Sequence, residues 1–396
     1  MPEGWLLFAV GSDLRIRCSR IRSLSIVSTG FAGRAGVFGF SRKHSYHFSR
    51  PSAPLTVKNA NSHRRQCRLC DTLAGGVPSV DDSSYYRIGI DIGGTKVNMG
   101  LVRENGEVVV NRVISSQGAR ETASFADRVC AELTAMLGSV SVSMAQVKHI
   151  GVGIPGTADS ARGIVAYSCN LFGENVPLGP LLQERLGRDV VIVQDSWSAA
   201  WAEHLFGAGQ DCRNMMCVTI GTGIGCGVLL EGKILSGAMH TAGELGHTPI
   251  VWQGRPCGCG RRGCLEAYAS GTAIWTQAME RFPEKLRALP QQTESVFRLA
   301  QEGDAEALTL IHESVDKLAY GIAIGMDLLS VDTVIISGGI CSQKELVIDP
   351  LPQKILQYGY PAWAAARTIR VLPARLGSNA PMVGAAFLTL DDMLLG

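Results

Sequence analysis

Residues 87–102 read Arg-Ile-Gly-Ile-Asp-Ile-Gly-Gly-Thr-Lys-Val-Asn-Met-Gly-Leu-Val, and this stretch decides the fold. Two apolar runs flank Gly93-Gly94, and a glycine pair in such a position predicts a β-hairpin because glycine tolerates positive φ. Asp91 stands just before this turn and Thr95 just after it. Glycine turns let backbone N–H groups approach phosphate oxygens, and a carboxylate can hold Mg²⁺. An ordinary hairpin, with both side chains bonding local backbone, is the alternative interpretation.

The same pattern recurs later in the chain. Residues 217–230 align with residues 89–102 at a constant offset of 128, except that Gly100 falls one residue from Gly227. A third glycine pair, Gly338-Gly339, follows another short apolar run. Three glycine-rich strand ends in separate parts of the chain are what a phosphate clamped between two lobes would require.

Apolar periodicity places the remaining elements. The predicted strands are 107–115, 149–154, 189–193 and 333–336, and the predicted helices are 121–137, 196–206 and 308–329. Strands and helices alternate in two halves. This alternation predicts a duplicated α/β unit with a cleft between the halves.

The charge distribution divides the chain into a basic head and an acidic body. Residues 1–70 carry 12 Lys and Arg side chains against two acidic ones, whereas residues 71–396 carry 25 against 33. The acidic body gives no electrostatic reason to expect nucleic-acid binding. The sequence has no run of about 18 apolar residues, which excludes a membrane-spanning helix. A length of 396 residues suggests two domains.

The head, residues 1–84, is rich in Arg and Ser and shows no sustained period of 3.6 or 2. We expect a basic, disordered extension without strands or helices. An organellar transit peptide, a wrongly assigned start codon and a functional tail all stay open. Cys67 and Cys70 have the spacing of metal ligands, but no second pair lies nearby, which favours chance.

The strongest local signal is a histidine followed by three closely spaced cysteines. His247 precedes Cys257, Cys259 and Cys264, and glycines between the cysteines permit sharp bends. This set suits a structural, tetrahedral Cys₃His zinc site with no open coordination position. A disulfide would leave one of the three unpaired, and the nine other cysteines, scattered along the chain, fit a reducing compartment.

Several polar residues are candidates for binding or catalysis. Asp195 follows a predicted strand and begins a predicted helix, where it could cap the helix or act as general base toward a hydroxyl. The zinc site would draw Glu244 and Glu266 together with His247, and carboxylates are good acceptors for sugar hydroxyls. Asn170 could bond a polyol, although an isolated Asn is more often a turn residue.

These motifs resemble the ROK family (repressors, uncharacterised frames, sugar kinases) from about residue 87 to the C-terminus. The matching motifs are Asp-Ile-Gly-Gly-Thr (91–95), Gly-Ile-Pro-Gly (153–156), Gly-Thr-Gly-Ile-Gly (221–225), Gly-Glu-Leu-Gly-His (243–247), Cys-Gly-Cys-Gly-x-x-Gly-Cys-x-Glu (257–266) and Ser-Gly-Gly (337–339). The resemblance implies an actin-like (ribonuclease H-like) two-lobed α/β ATPase fold with an interlobe cleft. Residues 85–195 plus 380–396 would form the N-terminal lobe, and residues 196–379 the C-terminal lobe with the zinc segment.

The resemblance also implies a role for each matching residue. Mg·ATP would be bound by Asp91, Gly93, Gly94, Thr95, Lys96, Thr222, Gly223, Gly338 and Gly339. The sugar would be bound by Asn170, Gln194, Asp195, Glu244, His247 and Glu266. Asp195 would be the catalytic base, and His247, Cys257, Cys259 and Cys264 would hold Zn²⁺.

The implied activity is ATP-dependent phosphorylation of glucose at its 6-hydroxyl, a step of glycolysis. An N-acetylhexosamine (N-acetylglucosamine or N-acetylmannosamine) is the alternative substrate, and a sugar-sensing regulator is the lesser alternative. The expected protein is a cytoplasmic homodimer or homotetramer that binds neither nucleic acid nor membrane, or an organellar one if the head is a transit peptide.

Two departures from the family pattern lie near the expected sugar site. Gln194 stands where the family has an Asn that bonds sugar hydroxyls, and Gln is one methylene longer. Trp197 follows three residues later and is expected to add bulk near the sugar. These departures bear on the choice of sugar.

Overall fold

In this computed structural model the described part of the chain comprises residues 85–168, 171–361 and 369–395, with two short strands in the head. Those strands, β1 (Ile26–Thr29) and β2 (Ala35–Phe38), pair antiparallel. The sequence predicted no strand in the head, because neither segment lies in a sustained period-2 pattern. The pair belongs to a compact unit of its own.

The first sheet of the main unit consists of five strands: β3 (Tyr86–Ile92), β4 (Lys96–Arg103), β5 (Val108–Ser115), β6 (Val147–Ile154) and β10 (Val190–Gln194). Their order is β10-β6-β3-β4-β5. The first three strands form an antiparallel meander, while β6 runs parallel to β3 and β10 parallel to β6. A small antiparallel sheet lies between β6 and β10 in the chain: β7 (Thr157–Asp159), β8 (Ile164–Ser168) and β9 (Gly173–Val176).

The second sheet has six strands: β11 (Met215–Ile220), β12 (Ile224–Leu230), β13 (Lys233–Gly237), β14 (Thr333–Ser337), β15 (Arg370–Pro373) and β16 (Met393–Leu395). Their order is β15-β14-β11-β12-β13-β16. Strand β11 pairs antiparallel with β12 and parallel with β14, just as β3 pairs with β4 and β6. The two sheets therefore repeat one strand arrangement, as the sequence repeat predicts.

Turn length explains the imperfect alignment of the repeats. Gly89 lies opposite Gly100 in the first hairpin, and Cys217 lies opposite Gly227 in the second. The first hairpin closes with Ile92 opposite Val97, which leaves a four-residue turn, whereas Ile220 opposite Ile224 leaves three residues. The second turn is thus one residue shorter, which shifts every later position by one.

The first turn differs from the tight glycine hairpin expected from the sequence. Its four residues are closed by a hydrogen bond from the Gly93 N–H to the Lys96 carbonyl (2.8 Å). Neither Gly93 nor Gly94 has positive φ, because a four-residue turn spreads the chain reversal over more backbone angles. A Cβ on Gly94 would meet no atom within 4 Å. The glycines leave this exposed loop open to a close-lying ligand.

Ten helices lie among the described residues of the main unit: α1 (Thr122–Ser139), α2 (Leu178–Leu186), α3 (Asp195–Phe206), α4 (Glu266–Ala269), α5 (Gly271–Arg281), α6 (Pro283–Leu286), α7 (Thr293–Gln301), α8 (Ala305–Leu329), α9 (Leu351–Tyr358) and α10 (Ala380–Phe387). Shorter helical turns are Met144–Gln146, Leu245–His247, Gly339–Ser342, Lys344–Ile348, Gly377–Asn379 and Leu390–Asp392. Over residues 85–168, 171–361 and 369–395, no helix combines the length and apolar character that crossing a bilayer requires.

Helices α3 and α10 pack against each other between the two sheets. Helix α10 lies on β3 and β6 of the first sheet, and α3 lies on β11 and β12 of the second. Their backbones touch at Gly384, where an added Cβ would lie 1.7 Å from the Ser198 carbonyl oxygen. At Gly227 of β12 an added Cβ would lie 2.5 Å from the Ser196 carbonyl oxygen. Glycine at both places allows α3 to approach its neighbours this closely.

The C-terminal residues are shared between the halves. Helix α10 packs on the first sheet, but β16 pairs parallel with β13 at the edge of the second sheet. The family resemblance implied that residues 380–396 belong as a whole to the N-terminal lobe. Residues 393–395 join the other sheet instead, because the segment after α10 crosses back to the exposed edge of β13.

Gly384→Ala should destabilise the protein by about 3 kcal/mol, because the new methyl group occupies the position of the Ser198 carbonyl and the helices must separate. Urea unfolding measures this loss. Gly138→Ala in α1 is the control, since a Cβ there meets no atom within 4 Å and alanine is the better helix former by about 1 kcal/mol. Equal stability of the two variants would contradict the helix contact described above.

Candidate active site

Asp91 lies near the end of β3, where its backbone neighbours are Asn98 on β4 and Gly153 on β6. Burial raises the pKa of its carboxyl from 3.8 to about 7, and the charge of Asp195 adds to this effect. The two carboxylates are therefore close enough to influence each other. Asp91 is held as a partly buried charge beside the exposed turn 93–96.

Asp195 is the first residue of α3, directly after β10. It is not the N-cap, which is Gln194; its Oδ1 atom accepts a hydrogen bond from the Ser196 N–H at 2.7 Å. Burial raises its pKa to about 6, the Ser196 bond opposes this shift and the charge of Glu244 reinforces it. Asp195 is thus fixed at the positive end of a helix, with a pKa close to neutral pH.

Gln194 connects the start of α3 to Glu244. Its side chain is 4% exposed, and its Nε2 donates to Glu244 Oε1 at 3.1 Å. Glu244 itself is exposed and immediately precedes the helical turn Leu245–His247. This bond holds a carboxylate from a distant part of the chain beside Asp195.

Trp197 does not add bulk to the site as the sequence analysis expected. The side chain is fully buried, and its indole N–H donates to the Ala242 carbonyl at 3.0 Å. Position 197 points into the core because it lies two residues beyond Asp195 on α3. Its effect on the site is indirect, through support of the loop that leads to Glu244.

Glu266 ties the second glycine turn to the cysteine segment. It begins α4, and its Oε2 accepts a hydrogen bond from the Ile224 N–H at 2.9 Å. A Cβ on Gly223 would lie 2.4 Å from that same oxygen, so a side chain there would displace the carboxylate from the turn. The other oxygen, Oε1, is 3.8 Å from the Cys257 sulfur.

The structure brings His247, Cys257, Cys259 and Cys264 together as the sequence analysis predicted. One donor atom from each lies within 4.8 Å of the others. The His247 Nδ1 is 3.6 Å from the Cys257 Sγ, and the Cys259 and Cys264 sulfurs are 3.7 Å apart. Four soft donors at these separations can hold one tetrahedral metal ion.

The third glycine pair adjoins the second turn at the same edge of the second sheet. Gly338 follows β14, which pairs with β11, and its φ of 96° requires glycine. A Cβ at this position would lie 2.1 Å from the Ile220 carbonyl oxygen. Thr222 is exposed on the neighbouring turn and Gly339 has open space beside it. Thr95 and Lys96 are exposed on the first turn, and Asn170 lies outside the described residues.

Glu203 was not predicted from the sequence, and it is fully buried in α3. Its carboxylate accepts hydrogen bonds from the backbone N–H groups of Ala208, Arg375 and Leu376 at 2.8 to 3.1 Å. An acidic residue within an Ala-rich apolar helix was the available signal. Glu203 fixes the end of α3 to the segment that enters α10.

The chain belongs to the ROK family, whose model matches residues 87–392. A glucokinase from Thermotoga maritima is 34% identical over 311 residues, which cover 76% of this chain and 95% of that enzyme. An N-acetyl-D-glucosamine kinase from Aliivibrio fischeri is 29% identical, over 78% of this chain and 100% of that enzyme. An N-acetylmannosamine kinase from Yersinia pestis is 33% identical, over 64% of this chain and 82% of that enzyme. The family resemblance noted in the sequence is confirmed.

Solved structures agree with this assignment. The ROK glucokinase from Streptomyces griseus, in complex with glucose and AMPPNP, has a TM-score of 0.66 and 31% identity, covering 76% of this chain and 98% of its own. A ROK transcriptional regulator homologous to the E. coli MLC protein has a TM-score of 0.68 and 28% identity, covering 77% and 78%. The two-lobed, actin-like α/β fold expected from the sequence is confirmed.

Asp91→Asn should stabilise the ligand-free protein at pH 8 but not at pH 4. The pKa of this carboxyl is raised from 3.8 to about 7 on folding, so the ionised group opposes folding. Below pH 3.8 it is protonated in both states and has no effect; its cost grows up to about pH 7 and is complete above. We expect a gain of roughly 2 kcal/mol at pH 8, measured by urea unfolding without Mg²⁺.

The exposed Asp211 supplies the matched control, since Asp211→Asn makes the same chemical change outside the site. A gain at Asp91 that is equal at pH 4 and pH 8, or a similar gain at Asp211, would contradict a buried, pKa-shifted carboxyl.

Proposed function

We propose that this chain is an ATP-dependent hexose kinase that phosphorylates glucose at its 6-hydroxyl, with Asp195 as general base. The carrying observation is the position of Asp195 at the start of α3, beside Asp91 and Glu244, with a pKa raised to about 6. Its glucokinase relatives and the glucose and AMPPNP complex of one of them support the choice of substrates.

The geometry suits a base that orients a hydroxyl. The Ser196 N–H holds one oxygen of Asp195, which leaves the second oxygen to accept the sugar hydroxyl. A pKa of about 6 leaves the carboxylate mostly ionised at neutral pH while keeping it able to accept a proton. Phosphoryl transfer has a loose transition state, so the proton moves late and orientation matters most.

Three glycine-containing strand ends would bind Mg·ATP. Asp91 would hold Mg²⁺, and a bound cation would lower the raised pKa of its carboxyl. The phosphates would contact backbone N–H groups of the first and second turns, and the adenosine would lie against Gly338 and Gly339. The contributing residues are Asp91, Gly93, Gly94, Thr95, Lys96, Thr222, Gly223, Gly338 and Gly339.

The sugar would lie between α3 and the cysteine segment. Glu244, His247 and Glu266 would bond its hydroxyls, together with Asp195, while Asn170 would contribute from outside the described residues. Gln194 already donates to Glu244, so we assign it to placing Glu244 as well as to the sugar pocket.

Zinc is proposed to hold the sugar contacts in place. In a tetrahedral site with Zn–S bonds of about 2.3 Å, thiolates lie about 3.8 Å apart, close to the 3.7 Å between the Cys259 and Cys264 sulfurs. His247, Cys257, Cys259 and Cys264 would be the ligands. The ion would supply a rigid cross-link between the turn that carries His247 and the segment that leads to Glu266.

An N-acetylhexosamine is the alternative substrate, because Glu244, His247 and Glu266 serve both sugar types. A sugar-sensing role without turnover is the lesser alternative.

We propose that the lobes divide as expected from the sequence, at residues 195 and 379, with β16 exchanged into the second sheet. Assembly as a homodimer or homotetramer is proposed as well.

Asp195→Asn should lower kcat by at least about a hundredfold while the sugar still binds, because the amide keeps the shape of the site but cannot take the proton. A coupled ADP-release assay with Mg·ATP measures kcat, and calorimetry measures sugar binding. Asp211→Asn is the control and should keep wild-type turnover. Wild-type-like turnover in Asp195→Asn would exclude this residue as base.

The same assay decides the substrate. Glucose, N-acetylglucosamine, N-acetylmannosamine, mannose and fructose are compared by kcat/KM. Glucose is expected to be preferred. Turnover on an acetamido sugar alone would favour the alternative, and sugar binding without any turnover would favour the sensor.

Cys259→Ser should remove zinc and raise KM for the sugar more than it lowers kcat, since Glu266 and His247 lose their anchor. Zinc content by atomic absorption is the first readout, with about one ion per chain expected for the wild type. Cys130→Ser, which alters a cysteine on α1 far along the chain from the cluster, should keep its zinc. A variant at position 259 that retains full zinc would contradict the ligand set.

A further inference from the structure

A cavity of about 220 Å³ lies between the cysteine segment, α5 and α8. None of its lining residues belongs to the ATP, sugar or zinc positions proposed above. Arg255 comes from the cysteine segment, Arg281 from α5, and Ser314 and Lys317 from α8. The cavity is therefore a second polar site in this half of the protein.

The cavity has an excess of positive charge. Arg255 pairs with Glu280 at 2.5 Å, and Arg281 pairs with Glu313 at 2.7 Å. Each contact uses a single guanidinium nitrogen, Nη2, and a guanidinium carries five N–H donors, so donors remain. Lys317 is half-buried and has no ion-pair partner in the described part of the chain. Three cations thus face two carboxylates.

A buried hydroxyl in the same wall has no partner. Ser314 is 4% exposed, and its Oγ makes no hydrogen bond within the described residues. Ser314 lies three residues before Lys317 on α8, so the two side chains lie on one face of the helix. A buried hydroxyl without a partner costs free energy until a ligand or a water molecule completes it, and the half-buried Lys317 ammonium is available to pair with an anion.

We propose that this cavity binds a phosphoryl oxyanion, as inorganic phosphate or a phosphate monoester. Three cationic side chains and Ser314 line the cavity from three segments, with Glu313 beside them, and a phosphate group offers several oxygens that can accept from these donors. A carboxylate has only two oxygens and one charge, and would satisfy fewer of these donors.

The cavity wall is joined to the cysteine segment. The Tyr268 hydroxyl, which lines the cavity, accepts a hydrogen bond from the Arg255 N–H at 2.7 Å. Gln277 donates to the Tyr268 carbonyl at 3.0 Å. A bound anion would hold Arg255 and Tyr268 in place. Arg255 lies two residues before Cys257, and Tyr268 lies two residues after Glu266. Any effect on sugar affinity rests on the proposed function, whereas binding itself does not.

Titration calorimetry with inorganic phosphate, in the absence of sugar and ATP, tests the site. The wild type should bind phosphate saturably, and Lys317→Gln should weaken that binding at least about tenfold. Ser314→Ala should weaken it by about threefold, and Lys317→Arg should retain it. Lys344→Gln is the charge-matched control, because Lys344 is exposed and already paired with Asp349.

Three results would overturn the proposal. The first is no phosphate binding by the wild type at concentrations up to about 20 mM. The second is binding that Lys96→Gln removes and Lys317→Gln leaves intact, which would place phosphate at the ATP turn. The third is acetate binding as tightly as phosphate. Should Lys317→Gln fail to fold, Arg281→Gln is the substitute and carries the same expected loss. None of these outcomes depends on kinase activity.

Discussion

The contact between α3 and α10 fixes the geometry on which the site depends. These helices touch at Gly384 and Ser198, so closely that a single Cβ cannot be accommodated. One helix packs on the first sheet and the other on the second. Because Asp195 is the first residue of α3, the same contact places the proposed base relative to both sheets. Glu203 reinforces this arrangement by bonding the segment that enters α10.

The site gathers negative charge before any ligand arrives. The charge of Asp195 adds to the raised pKa of Asp91, and the charge of Glu244 adds to the raised pKa of Asp195. Such a cluster lowers the stability of the folded protein at neutral pH. It is retained where the binding of a ligand compensates for that loss of stability. A magnesium ion and a hydroxyl proton are the species that would relieve these charges. The proposed Mg·ATP site would supply that compensation.

Local patterns in the sequence predicted the local elements well. The two hairpins, the start of α3 and the cysteine cluster follow from glycine position, apolar period and ligand spacing, which depend on neighbouring residues. The turn at Gly93 has four residues and not the two of the tight glycine hairpin that the sequence predicted, because turns of both lengths carry the same glycine signal. Contacts between segments that are distant in the chain could not be predicted from these local patterns. Trp197 bonds Ala242, and Glu203 bonds Arg375, through tertiary packing that no local period encodes.

Gln194 shows how one additional methylene changes which groups of the site are hydrogen-bonded to each other. An Asn at this position is too short to span to Glu244 from the same backbone, whereas the Gln amide reaches its Oε1 at 3.1 Å. One N–H of this buried amide is bonded to Glu244, which leaves its second N–H and its carbonyl oxygen for other partners. Glu244 has a second oxygen for the proposed sugar hydroxyl, and its orientation is set by Gln194 at the end of β10, directly before Asp195. In the proposed function, recognition of the sugar by Glu244 and placement of Asp195 as base would be coupled through this one hydrogen bond.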